Sequence, residues 1–155
     1  MQGSTKSMKT KLIILFFTFL LQSSFGQNTI SISGKVVDES LGEFPGVQIV
    51  ADGKVLATTG LDGKFKIEID KNIRKIDFRF IGTEDLTVIL KDNCNNLELV
   101  LLNEGGCYLG ASLQKVNRIR KRKFDSRSKF HKMAYEKGIF SSEIFCGETQ
   151  FKPYE

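Results

Sequence analysis

Hydrophobic residues occupy alternate positions in six successive runs between residues 29 and 102, with polar residues between them. The first run contains Ile30, Ile32 and Val36, and the last contains Leu97 and Leu99. A period of two places hydrophobic side chains on one face of a β-strand, so each run predicts a strand with one buried face. The residues that we expect to face inward are Val36, Val47, Ile49, Phe65, Ile67, Phe78, Val88, Leu99 and Leu101.

Turn sequences separate these runs. Asp52-Gly53 favours the positive φ angles of a tight hairpin, and Pro45-Gly46 and Asp62-Gly63 also precede predicted strands. Gly34 lies inside a strand pattern, where it indicates a bulge or a close backbone approach. Six or seven short strands without a long helix predict an all-β fold, an antiparallel seven-stranded β-sandwich.

Four sequence motifs in this region resemble the carboxypeptidase regulatory-like domain family. They are S-G-K-V-V-D at residues 33–38, G-E-F-P-G-V-Q-I at 42–49, T-T-G-L-D-G-K-F at 58–65 and I-D-F-R-F-I-G at 76–82. The resemblance covers about half of the chain, residues 30–102. It implies a transthyretin-like (prealbumin-like) sandwich and a non-catalytic module, which in related proteins accompanies zinc carboxypeptidases or precedes outer-membrane receptors.

Beyond residue 102 the pattern changes to helical spacing. Leu113, Val116 and Ile119 predict a short amphipathic helix, and a second helix is expected from Ser126 or Ser128 to Lys137, ended by Gly138. One face of the second helix would carry Phe130, Met133 and Ala134, which we expect to dock on another surface. The fold class is therefore a sandwich followed by a short helical basic segment and an irregular tail. The tail is apolar enough to add a strand or to clasp the sandwich.

Charge divides the chain at the same place. Residues 27–104 carry 9 basic and 13 acidic residues, whereas residues 115–137 carry 10 basic and 2 acidic residues. We assign residues 27–104 to the sandwich and residues 105–155 to a basic, partly helical extension. The extension either packs as a connector or contacts an anionic surface. The candidate residues for anionic-surface contact are Arg118, Arg120, Lys121, Arg122 and Lys123.

Residues 1–26 have the organisation of a signal peptide. Lysines precede an apolar run of 10 residues, from Leu12 to Leu21, and Ser24 and Gly26 form a small-x-small cleavage pattern. The run is too short to span a bilayer core of roughly 30 Å. We therefore expect an exported protein that is periplasmic, associated with the outer membrane or secreted, with no transmembrane segment after cleavage. Translation could start at Met1 or at Met8.

Three cysteines follow the leader, and an exported protein can oxidise them. Cys94 and Cys107 flank a predicted strand, which separates them by more than a disulfide permits. A Cys107–Cys146 disulfide would hold the tail beside the end of the sandwich, and we favour that pair. The alternative in which all three remain thiols stays open.

No catalytic chemistry is indicated. The chain has one histidine, His131, for which we expect a surface position, and it has none of the common hydrolase or phosphate-loop motifs. We expect no enzyme activity, no metal, no cofactor and no nucleic-acid partner. The predicted function is an exported interaction or structural module at the cell envelope, whose partner is an envelope protein or an anionic envelope surface. Alternatives are an accessory substrate-recognition subunit of a peptidase or receptor system, or an anionic-surface binder acting through residues 115–137.

Overall fold

The computed structural model describes residues 28–106 and 108–155. The predicted leader, residues 1–26, lies outside the described residues. Eight strands and two helices are present in the described ranges. They are β1 (Thr29–Val37), β2 (Gln48–Ala51), β3 (Lys54–Thr58), β4 (Lys64–Asp70), β5 (Lys75–Arg79), β6 (Leu86–Ile89), β7 (Asn96–Val100), α1 (Leu113–Asp125), α2 (Arg127–Glu136) and β8 (Glu148–Gln150).

The strands form two sheets that share one hydrophobic core, a β-sandwich-like arrangement. One sheet has three strands in the order β4-β1-β7, and the other has five in the order β3-β2-β5-β6-β8. The rings of Phe65 on β4 and Phe78 on β5 meet between the sheets, with centroids 5.4 Å apart. All nine residues predicted to face inward are buried, so the alternating pattern identified the core face correctly. We call residues 29–102 the sandwich.

The topology differs from the predicted seven-stranded antiparallel sandwich in two respects. First, β1 pairs with β7 in parallel, although its pairing with β4 is antiparallel. Second, the tail contributes a strand, because β8 pairs with β6 and brings the number of strands to eight. This confirms one of the two predicted roles of the tail, although the predicted fold class described the tail as irregular. The alternation of residues shows that a segment is a strand, but it contains no information about which strand lies beside it.

Two local predictions are confirmed, a tight hairpin and a close approach between two strands. Asp52 and Gly53 have φ angles of 48° and 74°, and they join β2 to β3 in a two-residue hairpin. Gly34 lies opposite Leu97, where an added Cβ would approach the Leu97 carbonyl oxygen to 1.9 Å. Only glycine allows β1 and β7 to come this close.

The helices cover one side of the sandwich. Ser112 accepts a hydrogen bond from the Lys115 amide at the start of α1, and Gly138, with φ of 69°, follows the end of α2. Ala134 on α2 joins Val37, Val100, Leu102 and others in a second hydrophobic cluster, against which Phe130 and Met133 also pack. The predicted docking face of the second helix is thus confirmed.

Candidate functional site

The structure divides the five predicted contact residues of α1 between two opposite faces of the helix. Arg118, Lys121 and Arg122 are exposed. Lys121 forms an ion pair with Asp125 four residues later. Within the described residues, neither Arg118 nor Arg122 has a carboxylate within ion-pair distance. These three side chains are therefore placed where a partner could reach them.

Arg120 lies on the opposite face and is only 8% exposed. Its Nε and Nη2 donate to the two carboxylate oxygens of Glu84, at 2.7 and 2.5 Å. Its guanidinium also stacks on the Tyr154 ring, 3.5 Å from the centroid, and Nη1 donates to the Lys152 carbonyl oxygen at 3.1 Å. The hydrogen bonds to Glu84 raise the pKa of Arg120 above its usual value. Arg120 therefore joins α1 to the sandwich and to the tail, and its predicted role as a surface contact is wrong.

Lys123 also points inward from α1. Its Nζ lies 2.6 Å from Glu39 Oε1 and donates to the Asn103 carbonyl oxygen at 2.7 Å. Because these contacts pair the charge of Lys123 within the fold, Lys123 is not placed to contact an anionic surface as predicted. The five basic residues are close in sequence, but they do not form one surface. Residues 120 and 123 lie on the helix face that carries buried Val116.

A third inward cation, Arg127, was not singled out by the sequence. It is the first residue of α2 and is 9% exposed. Its guanidinium carbon lies 4.6 Å from the centroid of the Phe124 ring. Its Nε and Nη1 are buried, and neither has a hydrogen-bond partner among the described residues. Burial lowers the pKa of Arg127 to about 10, and the charge of Glu84 partly offsets this effect.

The three inward cations line a cavity of about 190 Å³ between α1, the start of β6 and the tail. Its acidic lining residues are Glu84 and Asp85, and its aromatic lining residues are Phe124, Phe151 and Tyr154. Burial raises the pKa of Asp85, and Arg79 opposes that shift. We call this space the arginine cavity. In its wall, Arg120 is paired with Glu84 and Lys123 is paired with Glu39, so both of these charges are balanced within the fold.

His131 is buried at 7% exposure, not on the surface as predicted. Its Nε2 lies 3.0 Å from the Ser142 carbonyl oxygen, and its ring packs on Phe140 with centroids 4.9 Å apart. Nearby Glu98 accepts hydrogen bonds from the amides of Ser141 and Ser142 at 2.8 to 3.2 Å. Glu98 and His131 thus fix the chain that follows α2 on the sandwich.

Cys146 is bonded to Cys94, with Cα atoms 5.5 Å apart, so the predicted Cys107–Cys146 disulfide is wrong. Cys107 itself lies outside the described residues. The register of β8 explains the pairing, because Glu148 pairs with Ile89 and the two chains run antiparallel. Residues just before Glu148 therefore lie beside those just after Ile89, which lead to Cys94.

A periodic signal for Arg127 was present in the sequence. Arg127 follows Arg120 by seven residues, and Ser126 between α1 and α2 keeps a right-handed helical conformation, so the two arginines lie about two helical turns apart on the same side. Glu84, the partner of Arg120, had no such signal because it comes from a loop 36 residues earlier. In the predicted turn at Asp62-Gly63, Asp62 accepts a hydrogen bond from the Lys64 amide, and that bond lowers the pKa of Asp62.

No set of three or more potential metal-ligating His, Cys, Asp or Glu side chains occurs in residues 28–106 and 108–155. Neither helix in these ranges is long and apolar enough to cross a membrane. A scan against protein-family models finds no match to the chain, and a search of curated proteins also finds none.

Proposed function

We propose that this protein is an exported, non-catalytic interaction module of the cell envelope, and that it contacts an anionic lipid surface through the outer face of α1. One observation carries the proposal. Lys115, Arg118 and Arg122 are exposed on one face of α1 and have no carboxylate within ion-pair distance among the described residues, while the opposite face is fixed to the sandwich. We call these three residues the outer basic face.

The spacing of the outer basic face supports a collective interaction. Its residues are separated by three and four positions, so their side chains project from the same side of the helix. The inward contacts of Arg120 and Lys123 hold that side away from the sandwich. Each basic residue near an anionic membrane adds roughly 1 kcal/mol of attraction, so three give a weak, salt-sensitive association.

Two further observations support the cellular setting. The Cys94–Cys146 disulfide fits an oxidising compartment, where such bonds persist. The resemblance of residues 30–102 to carboxypeptidase regulatory-like domains implies a module that binds or positions without its own catalysis. Together with the leader-like residues 1–26, these features favour the envelope as the place where the outer basic face acts.

The test is sedimentation of the purified protein with vesicles of anionic or neutral lipid. We expect association with anionic vesicles at about 50 mM salt that is lost by about 300 mM, since the Debye length falls through about 10 Å near 0.1 M. Neutral vesicles should not bind. A variant with Lys115, Arg118 and Arg122 changed to Gln should lose most of the association and keep its melting temperature, because exposed charges contribute little to folding.

A matched control removes the same charge elsewhere. Lys54, Lys66 and Lys75 are exposed on strands of the sandwich, and their replacement by Gln lowers the net charge equally. This control should still bind anionic vesicles. If both triple variants lose binding to the same degree, net charge alone is responsible and the outer basic face is not the contact surface.

A further inference from the structure

We propose that the free edge of β4 binds a second copy of this chain, so that two three-stranded sheets join into one six-stranded sheet. In this dimer the two β4 strands run antiparallel about a two-fold axis at Ile67. Lys66 of each copy then lies opposite Glu68 of the other. This surface is separate from the outer basic face, because β4 and β7 are opposite edges of the sheet and the helices pack beside β7.

The first observation is that β4 has one unpaired edge. It is an outer strand of its sheet, and β1 is its only strand partner among the described residues. The seven residues of β4 pair with β1 without a shift in register, whereas β3, an outer strand of the other sheet, pairs with β2 irregularly. Bulges protect an edge from further pairing, and a regular exposed edge is a template for another strand. Of these two edges, β4 is therefore the one suited to bind a strand.

The second observation is the direction of the backbone groups of β4. The Val36 amide donates to the Gly63 carbonyl oxygen at 2.9 Å, and the Lys71 amide donates to the Asn28 carbonyl oxygen at 2.8 Å. Hydrogen-bonded and non-hydrogen-bonded pairs alternate in an antiparallel ladder. The odd-numbered residues of β4 therefore bond to β1, and the even-numbered residues turn their N–H and C=O groups toward the free edge.

The centre of this edge is where those groups are available. At its two ends, the carbonyl oxygens of Lys64 and Asp70 accept hydrogen bonds from amides of the adjoining turns. Between them, the outward-turned amides and carbonyls of Lys66 and Glu68 have no partner in the part of the chain that the structure describes. Both residues are exposed. When Lys66 of each copy lies opposite Glu68 of the other, these groups form four hydrogen bonds between the copies.

The third observation is the order of charges along β4, which selects one register. The exposed side chains are Lys64, Lys66, Glu68 and Asp70, two positive charges followed by two negative ones. A register centred on Lys66 or on Glu68 would place that residue opposite its own copy, with like charges opposed. The register centred on Ile67 places a lysine opposite an acid at every one of these positions. Opposite charges across two strands stabilise their pairing, and like charges destabilise it.

The central charges are not balanced within one copy of the protein. On β1, Ser33 lies opposite Lys66 and Ser31 lies opposite Glu68, so the neighbouring strand offers no charge to either. Neither Lys66 nor Glu68 forms an ion pair within residues 28–106 and 108–155. A second copy supplies both missing charges, and the two-fold axis repeats each contact. This self-complementarity is the reason for assigning the edge to a second copy.

Sedimentation equilibrium of the purified protein at several concentrations tests the proposal. We expect a monomer–dimer equilibrium in which the dimer weakens as salt is added, because exposed ion pairs are screened. Hydrogen exchange locates the contact. The amides of Lys66 and Glu68 should become protected as the dimer forms, whereas the Ile67 amide bonds to β1 and should be protected in the monomer too. A protein that stays monomeric up to about 1 mM, or a dimer without added protection of these two amides, would overturn the proposal.

Charge reversal tests the register. Lys66→Glu and Glu68→Lys each place like charges opposite one another at both central positions, so each variant should dimerise at least about tenfold more weakly. A mixture of the two variants restores opposite charges and should form a heterodimer. The control is Lys75→Glu, the same charge change at an exposed position of β5, which should dimerise like the unsubstituted protein.

Two results with these variants would contradict the β4 dimer: Lys66→Glu and Glu68→Lys dimerising as strongly as the control, or failing to associate with each other. If either variant does not fold, the hydrogen exchange of the unsubstituted protein decides. Vesicle binding does not depend on this dimer, because each copy carries its own outer basic face. The two proposals can therefore fail separately.

Discussion

The sandwich and residues 108–155 are held in place by different kinds of interaction. In the sandwich, the buried side chains are almost all hydrophobic and come from strands that alternate inward and outward positions. Residues 108–155 bury few hydrophobic side chains, namely Val116, Ala134 and Phe140. Besides the hydrophobic docking of α2, they are attached by specific contacts with residues far away in sequence, including the Arg120–Glu84 ion pair, the Cys94–Cys146 disulfide and the β6–β8 pairing.

This difference determines how each region responds to change. Hydrophobic burial is non-directional, so the sandwich depends on the number of buried apolar groups and on how well they fill space. A buried polar contact depends on one partner, and its loss leaves the other partner buried and unsatisfied. We therefore expect a few specific substitutions in residues 108–155 to lower stability, and substitutions at adjacent positions to have little effect.

The largest effect is expected in the core of the sandwich. Phe78→Ala should lower the free energy of unfolding by about 3 to 5 kcal/mol, because Phe78 is fully buried and a cavity would remain. Urea denaturation measures this loss. Ile81→Ala is the control, since Ile81 is 96% exposed and its truncation should change stability by less than about 0.5 kcal/mol. Equal effects of the two changes would refute the assignment of the core.

The next effect concerns the covalent attachment. Replacing Cys94 and Cys146 together by Ala should cost about 2 to 4 kcal/mol, because the disulfide closes a loop with a sequence separation of 52. Melting curves with and without a reducing agent provide the measurement. The unsubstituted protein should lose stability under reduction, whereas the double variant should not respond. A double variant that melts like the oxidised protein would mean that the disulfide does not hold the tail.

The smallest effect gives the closest comparison, because it uses two arginines of one helix. Arg120→Gln should cost about 2 kcal/mol, less than the 3 to 5 kcal/mol of a broken buried pair, since Arg127 still attracts Glu84. Arg118→Gln should change stability by less than about 0.5 kcal/mol. Thermal melts of the two variants decide. Equal melting temperatures would show that α1 is not fixed through Arg120.

Local patterns predicted the elements well but not their partners. The alternation of Phe65, Ile67 and Ile69 identified a strand and its buried face, and Gly138 marked the end of α2. The parallel neighbour of β1 was missed because a strand pattern is the same for parallel and antiparallel pairing in a short sandwich. His131 was placed on the surface because its burial depends on Phe140 and Ser142, which follow α2.

The candidate site shows the same division. The sequence identified a basic segment, but it treated Arg118 and Arg120 alike, although one is exposed and the other binds Glu84. The sign of a charge is a property of one residue. Whether that charge remains available depends on what lies across from it, and this is decided only when the chain folds.

Local sequence patterns indicate which segments form strands and helices, which strand faces are buried and where the charge changes sign, because these properties depend on residues a few positions apart. The pairing of Cys146 with Cys94, the ion pair of Arg120 with Glu84 and the burial of Arg127 arise only in the folded structure. Each of these depends on contacts between residues separated by dozens of positions. The register of β8 and the docking of the helices set those contacts, and no local sequence pattern predicts them.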